Sequence, residues 1–315
     1  MSIVTTGRDV AEETIAFNEK LAGILAAAPA VYEVEDIAQL RAGFGVFPPP
    51  KILDEGVDRT VPGRDGDVSV RVFTPDDVRG VYLHMHPGGR VLGSARNQDV
   101  RLWTLAVETS LAVVSVDYRL APEHPHPAAV HDCEDAARWL VDSAKAEFGT
   151  DRLLLGGESA GAELAVQVLL RLRDSGQHRA FRAAHLSYGV YDMALTPSAR
   201  AFGEQHLVTG TASERWFRTQ AYPGLSEAEL HAPDISPLYA DLHDLPAARF
   251  VVGTRDPLLD DTLFMSARWR AAGNPCELEV VAEAVHGFTA FPITVATREL
   301  AAQNAYLASW SARNA

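Results

Sequence analysis

Two cysteines in 315 residues, Cys133 and Cys276, exclude a disulfide framework and are read as buried thiols in a reducing compartment. Basic clusters are also missing. Lysine and arginine total 28 against 42 acidic residues, a formal charge of −14, which argues against nucleic acid and anionic membrane surfaces as partners. The longest N-terminal apolar run, residues 21–31, is too short to span a bilayer and contains a proline. The first eight residues are polar rather than a basic stretch leading into an apolar core, so no signal peptide is expected and a cytoplasmic location is. Repeats and low-complexity tracts are absent. What remains, 47% apolar and 22% charged, is the composition of a globular chain with a sizeable core.

The most informative stretch that is present is Gly157-Glu158-Ser159-Ala160-Gly161, directly after the apolar run Leu153-Leu154-Leu155. It reads as a strand, a sharp turn with serine at its apex, and a following helix. Glycines two positions before and after the serine let strand and helix pass closely. The pattern alone is weak, and its partners give it weight. Downstream, Val251-Val252-Gly253-Thr254-Arg255-Asp256-Pro257-Leu258 reads as a strand ending in an acid. Leu278-Glu279-Val280-Val281 is another strand, followed by a loop with His286-Gly287-Phe288. The order Ser159, Asp256, His286 is the one used by α/β hydrolases. The chemistry needs all three residue types. A serine hydroxyl is a poor nucleophile until an imidazole takes its proton, and a buried carboxylate fixes the imidazole tautomer.

Upstream, Val81-Tyr82-Leu83-His84-Met85-His86-Pro87-Gly88-Gly89-Arg90 is a strand running into a glycine-containing loop. Backbone N–H groups of Gly88, Gly89 and Ala160 are the expected oxyanion donors, each contributing about 3–4 kcal/mol of transition-state stabilisation. The N-terminal end of the helix expected at 160–173 adds its dipole.

Together these elements resemble the hormone-sensitive-lipase family of α/β hydrolases, the bacterial family IV carboxylesterases. Tyr118-Arg119-Leu120-Ala121-Pro122-Glu123 is similar to that family's Y-R-L-A-P-E segment, Asp256-Pro257-Leu258 with Asp260 and Asp261 to its D-P-L block, and Ser236-Pro237-Leu238 to its S-P-L element. The resemblance covers roughly residues 60 to 290. It implies an α/β-hydrolase fold, a mostly parallel sheet of about eight strands with helices on both faces, and a helical cap. It also implies a serine carboxylesterase acting on short- to medium-chain esters without cofactor or metal. Residues 1–50 would carry N-terminal cap helices, 51–190 and 237–315 the core, and 191–236 a cap insertion. A homodimer is a further expectation.

The chain departs from the family at two places. Its loop reads His86-Pro87-Gly88-Gly89-Arg90 where the family has H-G-G-G and an aromatic residue. Proline has no N–H, but the expected donors are the next two positions, both glycine. Arg90 either pairs with a neighbouring carboxylate or attracts a carboxylate-bearing substrate. Glu158 also occurs at this position in the much longer type-B carboxylesterases.

Several residues admit two readings. His84 and His86 share a strand face and invite a metal, but further ligands at suitable spacing are wanting, and His86 is read as shaping the loop by hydrogen bonding. Asp260 and Asp261 either support the loop of Asp256 or begin a helix with favourable charge. Tyr188, Phe202, Trp216 and Phe288 belong either to a substrate pocket or to the core. Amide, lactone or carbamate cleavage by the same three residues is the alternative activity, and a non-catalytic small-ligand receptor is the alternative of another class.

Overall fold

The computed structural model describes the chain except for residues 1, 5, 6, 44–46, 178, 206 and 313–315, so small parts of the expected segments 1–50, 51–190, 191–236 and 237–315 lie outside it. In chain order the strands are β1 (Ser2–Val4), β2 (Val57–Val61), β3 (Val68–Phe73), β4 (Gly80–Met85), β5 (Leu111–Asp117), β6 (Leu153–Glu158), β7 (Phe181–Ser187), β8 (Ala247–Arg255) and β9 (Cys276–Val285). The helices are α1 (Arg8–Leu25), α2 (Ile37–Ala42), α3 (Asp99–Thr109), α4 (Ala128–Phe148), α5 (Ala160–Asp174), α6 (Pro197–Ala201), α7 (Thr211–Ala221), α8 (Glu227–Leu230), α9 (Leu259–Ala271) and α10 (Thr294–Ala312).

All nine strands join one sheet in the order β1-β9-β8-β7-β6-β4-β5-β3-β2. Only β3 runs against its neighbours, pairing antiparallel with β2 and β5. The central strands are continuous apolar runs because both faces are covered. On β4, Val81, Leu83 and Met85 join the core built with α4, α5 and α9, while Tyr82 faces α3 and α10 with Phe73, Leu102 and Leu307. This is the period-two alternation of a strand buried on both sides. Trp269 of α9 is fully buried and donates its indole N–H to the Pro246 carbonyl at 3.0 Å.

The expected mostly parallel sheet is therefore present, with one addition. β1 pairs parallel with residues 279–281 of β9, extending the edge beyond about eight strands. The sequence also places a strand at 184–190, but β7 ends at Ser187 and Tyr188 turns away with φ +39°. Cys133 is buried as expected; Cys276 is only half-buried, at the start of the edge-proximal strand β9, and neither is in a disulfide. No helix among the described residues is long and apolar enough to cross a membrane.

Candidate active site

Parallel strands with helical crossovers bring their C-terminal ends to one edge, and the loops leaving β4, β6, β8 and β9 meet there. Ser159 stands between β6 and α5 with φ +54° and ψ −122°, a backbone conformation that side-chain-bearing residues adopt only when their surroundings enforce it. Here the enforcement is visible. The Ser159 N–H donates to the Ser187 carbonyl at 2.9 Å, and α5 begins at the next residue. A Cβ at either Gly157 or Gly161 would collide with the Met85 carbonyl, so only glycine allows this approach of β4 to the turn. Beneath the turn Glu158 is fully buried, 3.0 Å from His84 Nε2 and 2.7 Å from Arg101. Burial would raise its pKa, but Arg101 and His84 outweigh it and hold the carboxyl at about 2.

The three residues expected to act together meet. His286 Nε2 lies 3.0 Å from Ser159 Oγ, and His286 Nδ1 lies 2.9 and 3.1 Å from the two oxygens of Asp256. Asp256 is 2% exposed, and its Oδ1 also accepts the Leu258 N–H at 2.8 Å. A carboxylate at Nδ1 favours the tautomer protonated there, leaving the Nε2 lone pair for the serine hydroxyl. Burial alone would lower the His286 pKa. The charge and hydrogen bond of Asp256, joined by the charge of Glu214, reverse this and hold it above 6.5. Tyr188 packs its ring against the imidazole at 5.0 Å and bonds Thr289 through its hydroxyl at 2.6 Å.

Gly88 and Gly89 take φ values of +122° and +60°, and line the same cavity as Ser159. The Gly88 carbonyl is turned into the loop, accepting the N–H groups of Val91 and Leu92 at 3.0 and 2.8 Å. Ala160 is the first residue of α5, where backbone N–H groups have no intrahelical acceptor. His86 stacks on Tyr118 with ring centroids 4.1 Å apart, its Nδ1 2.8 Å from the Pro87 carbonyl. The Tyr118 hydroxyl donates to the His86 carbonyl at 2.7 Å. Burial pushes the His86 pKa down to about 4, so the ring is neutral and braces the loop. His84 is turned to Glu158 and Ser115, so the two histidines of the strand do not converge. Among the described residues no group of three or more metal-ligating side chains converges.

Arg90 is 5% exposed, donates to Glu163 of α5 at 2.5 Å and lies 5.0 Å above the Tyr222 ring. Its ion-pair reading is the one the geometry favours. Asp261 is fully buried and receives the N–H groups of Tyr191 and Asp192 and the Thr196 hydroxyl, at 2.7, 2.9 and 2.6 Å. Burial raises its pKa to about 7. Asp260 takes the Ser198 N–H at 2.8 Å. Both acids therefore fasten residues 191–198 to the start of α9.

The α/β-hydrolase fold family matches residues 82–290. The chain belongs to that family. It is 32% identical to esterase LipI of Mycobacterium tuberculosis, over 90% of this chain and 91% of that protein. It is also 33% identical to an ethyl acetate hydrolase of Pseudomonas putida, over 73% and 74% of the two chains. A hyperthermophilic esterase from the archaeon Pyrobaculum calidifontis superposes with a TM-score of 0.85 at 28% identity, covering 93% of this chain and 97% of its own. The resemblance read from the motifs is borne out.

In this α/β hydrolase Ser159 and His286 open into a cavity of about 940 Å³, within the range of small-molecule sites. Phe17 and Leu21 of α1 form one wall, and Glu214, Phe217 and Arg218 of α7 another. Tyr188 lines the cavity; of the other aromatic candidates, Phe202, Trp216 and Phe288 do not, and Phe217 takes that place. Glu214 and Arg218 are absent from the sequence-based site. Their signal was a charged pair four residues apart flanking an aromatic on a helical stretch, which an ordinary solvated face also produces.

Proposed function

We propose that this α/β hydrolase is a serine carboxylesterase in which Ser159, His286 and Asp256 form the proton relay and Gly88, Gly89 and Ala160 the oxyanion site. The observation that carries the reading is the unbroken chain of contacts from the Ser159 hydroxyl through both imidazole nitrogens to Asp256. His286 removes the serine proton as Oγ attacks the ester carbonyl carbon. The N–H groups of residues 88, 89 and 160 hold the negative oxygen of the tetrahedral intermediate. The protonated imidazole returns its proton to the departing alkoxide, leaving an acyl-serine. Water, deprotonated by the same imidazole, attacks this second ester, and collapse releases the carboxylic acid and regenerates the hydroxyl. No step requires a cofactor.

Segments 1–50 and 191–236 form a cap in this reading, supported by the placement of Phe17, Leu21 and Phe217 on the cavity. Such a cap excludes water and shapes the acyl and alcohol sites. A cavity of about 940 Å³ suits short- to medium-chain esters. The test is turnover of p-nitrophenyl butyrate and of the matching anilide. The ester should be the faster substrate, and Ser159→Ala should lose about six orders of magnitude in kcat with its melting temperature unchanged. Retention of most activity by that variant would refute the assignment.

A further inference from the structure

The cavity wall carries an arginine that meets no counterion among the described residues. Among the described residues, the lysine and arginine side chains that line the cavity are Lys20, Arg90 and Arg218. Lys20 is exposed on α1. Arg90 is engaged by Glu163 and covered by Tyr222. Arg218 is half-buried, forms no ion pair among the described residues, and makes a long 3.5 Å contact to the Met193 carbonyl. Arg200, which does not line the cavity, is bound to Glu227 at 2.8 Å and to the carbonyls of Ala194 and Leu195. Burial lowers the Arg218 pKa and the charge of Arg215 adds to the effect, Glu227 opposes it, and Arg200 lowers it slightly further. A chain of net charge −14 thus holds a local excess of positive charge at the wall of its cavity.

Glu214, one turn earlier on the same helix, does not neutralise it. Its carboxyl accepts the Thr209 hydroxyl at 2.6 Å, and its strongest charge interaction is with His286. Phe217 lies against Gly89, where a Cβ would strike its ring, so α7 sits directly over the glycine loop. Arg218 follows immediately, and the guanidiniums of Arg90 and Arg218 both contact Met193, one at its sulfur and one at its carbonyl. A guanidinium partly withdrawn from water without an anion is costly, and its planar fork matches a carboxylate.

We propose that Arg218 receives a second, ionised carboxylate of the substrate, so that the preferred esters carry a free carboxylate, as monoesters of short dicarboxylic acids do. This rests on the esterase reading above and narrows its substrate class. The cation that attracts such a group is therefore the one on α7 and not Arg90, whose charge Glu163 already meets.

The experiment compares kcat/KM for the p-nitrophenyl monoester of glutaric acid with that for p-nitrophenyl pentanoate, whose acyl chain has the same length, in wild type, Arg218→Gln and Arg218→Lys. The Gln variant should lose about ten- to hundredfold on the glutarate monoester, chiefly through KM, as expected for one charge-assisted contact. Pentanoate should change by no more than about twofold, and Lys should restore part of the loss. Equal effects on the two esters, or none on the glutarate monoester, would overturn the proposal while leaving Ser159-dependent pentanoate hydrolysis, and with it the esterase reading, intact. Pentanoate hydrolysis that survives Ser159→Ala, or is absent from the wild type, would instead remove the esterase reading and this inference together.

Discussion

His286 lies under the influence of two carboxyl groups with different duties. Asp256 is bonded to Nδ1 and buried, while Glu214 acts through space from α7. The groups around the imidazole are these two acids, the Ser159 hydroxyl and the Tyr188 ring. Because the two acids together raise the pKa more than burial lowers it, the imidazole keeps its proton to higher pH than an ordinary histidine. The acid limb of kcat/KM for a neutral ester should therefore have its midpoint above 6.5, and Glu214→Gln should move that midpoint to lower pH. A pH profile of both proteins checks this, and an unmoved limb would disconnect Glu214 from the base. The stability linkage has the same sign. A histidine whose folded pKa is raised contributes stability below its unfolded pKa and loses it as pH climbs through the folded one. At this scale Ser159, Asp256 and His286 were legible because each sits in a short motif whose chemistry dictates the residue type. Glu214 was not, since its influence comes only from where α7 settles. For Arg90 the charge was visible, but its acid lies 73 residues away and is chosen by packing between the loop and α5.

The elements that build the site depend on a single close crossing. Met85, the last residue of β4, places its carbonyl where any Cβ at position 161 would stand, and that strand leads directly into the glycine loop of residues 88 and 89. Gly161→Ala should therefore push β4 and α5 apart, costing about 1–3 kcal/mol, and lower kcat more than KM because the donors of residues 88 and 89 move with the strand. Thermal melting alongside steady-state kinetics checks it; an unchanged melting temperature and kcat would show that the crossing tolerates a methyl group. The clean alternation of Val68 to Phe73 marks both ends of β3, whereas the apolar runs 153–155 and 249–252 locate β6 and β8 but fall short of their observed ends. Helix α3 was not read, although Leu102, Leu105 and Ala106 recur at helical spacing, since Gln98 at its N-cap makes no capping bond to mark the start. Strand β1 has three residues and is defined by pairing with β9 at the far end of the chain, which local pattern does not carry.

For the whole molecule, the sheet order does what the sequence order cannot. It brings the ends of β6, β8 and β9 to one edge, so residues 159, 256 and 286 converge although more than a hundred positions separate the first from the last. The family resemblance implies a mostly parallel sheet, but not which strands lie side by side. The family motifs supplied the expectation of an α/β hydrolase, and the convergence of three distant side chains gives that expectation chemical content. Its most direct test is covalent. Reaction with a p-nitrophenyl phosphonate ester, followed by intact mass and peptide mapping, should yield one adduct per chain on Ser159, with hydrolysis lost in parallel and labelling greatly slowed in His286→Ala. An adduct on another residue, or ester hydrolysis continuing in the fully labelled protein, would contradict the assignment of Ser159 as the nucleophile.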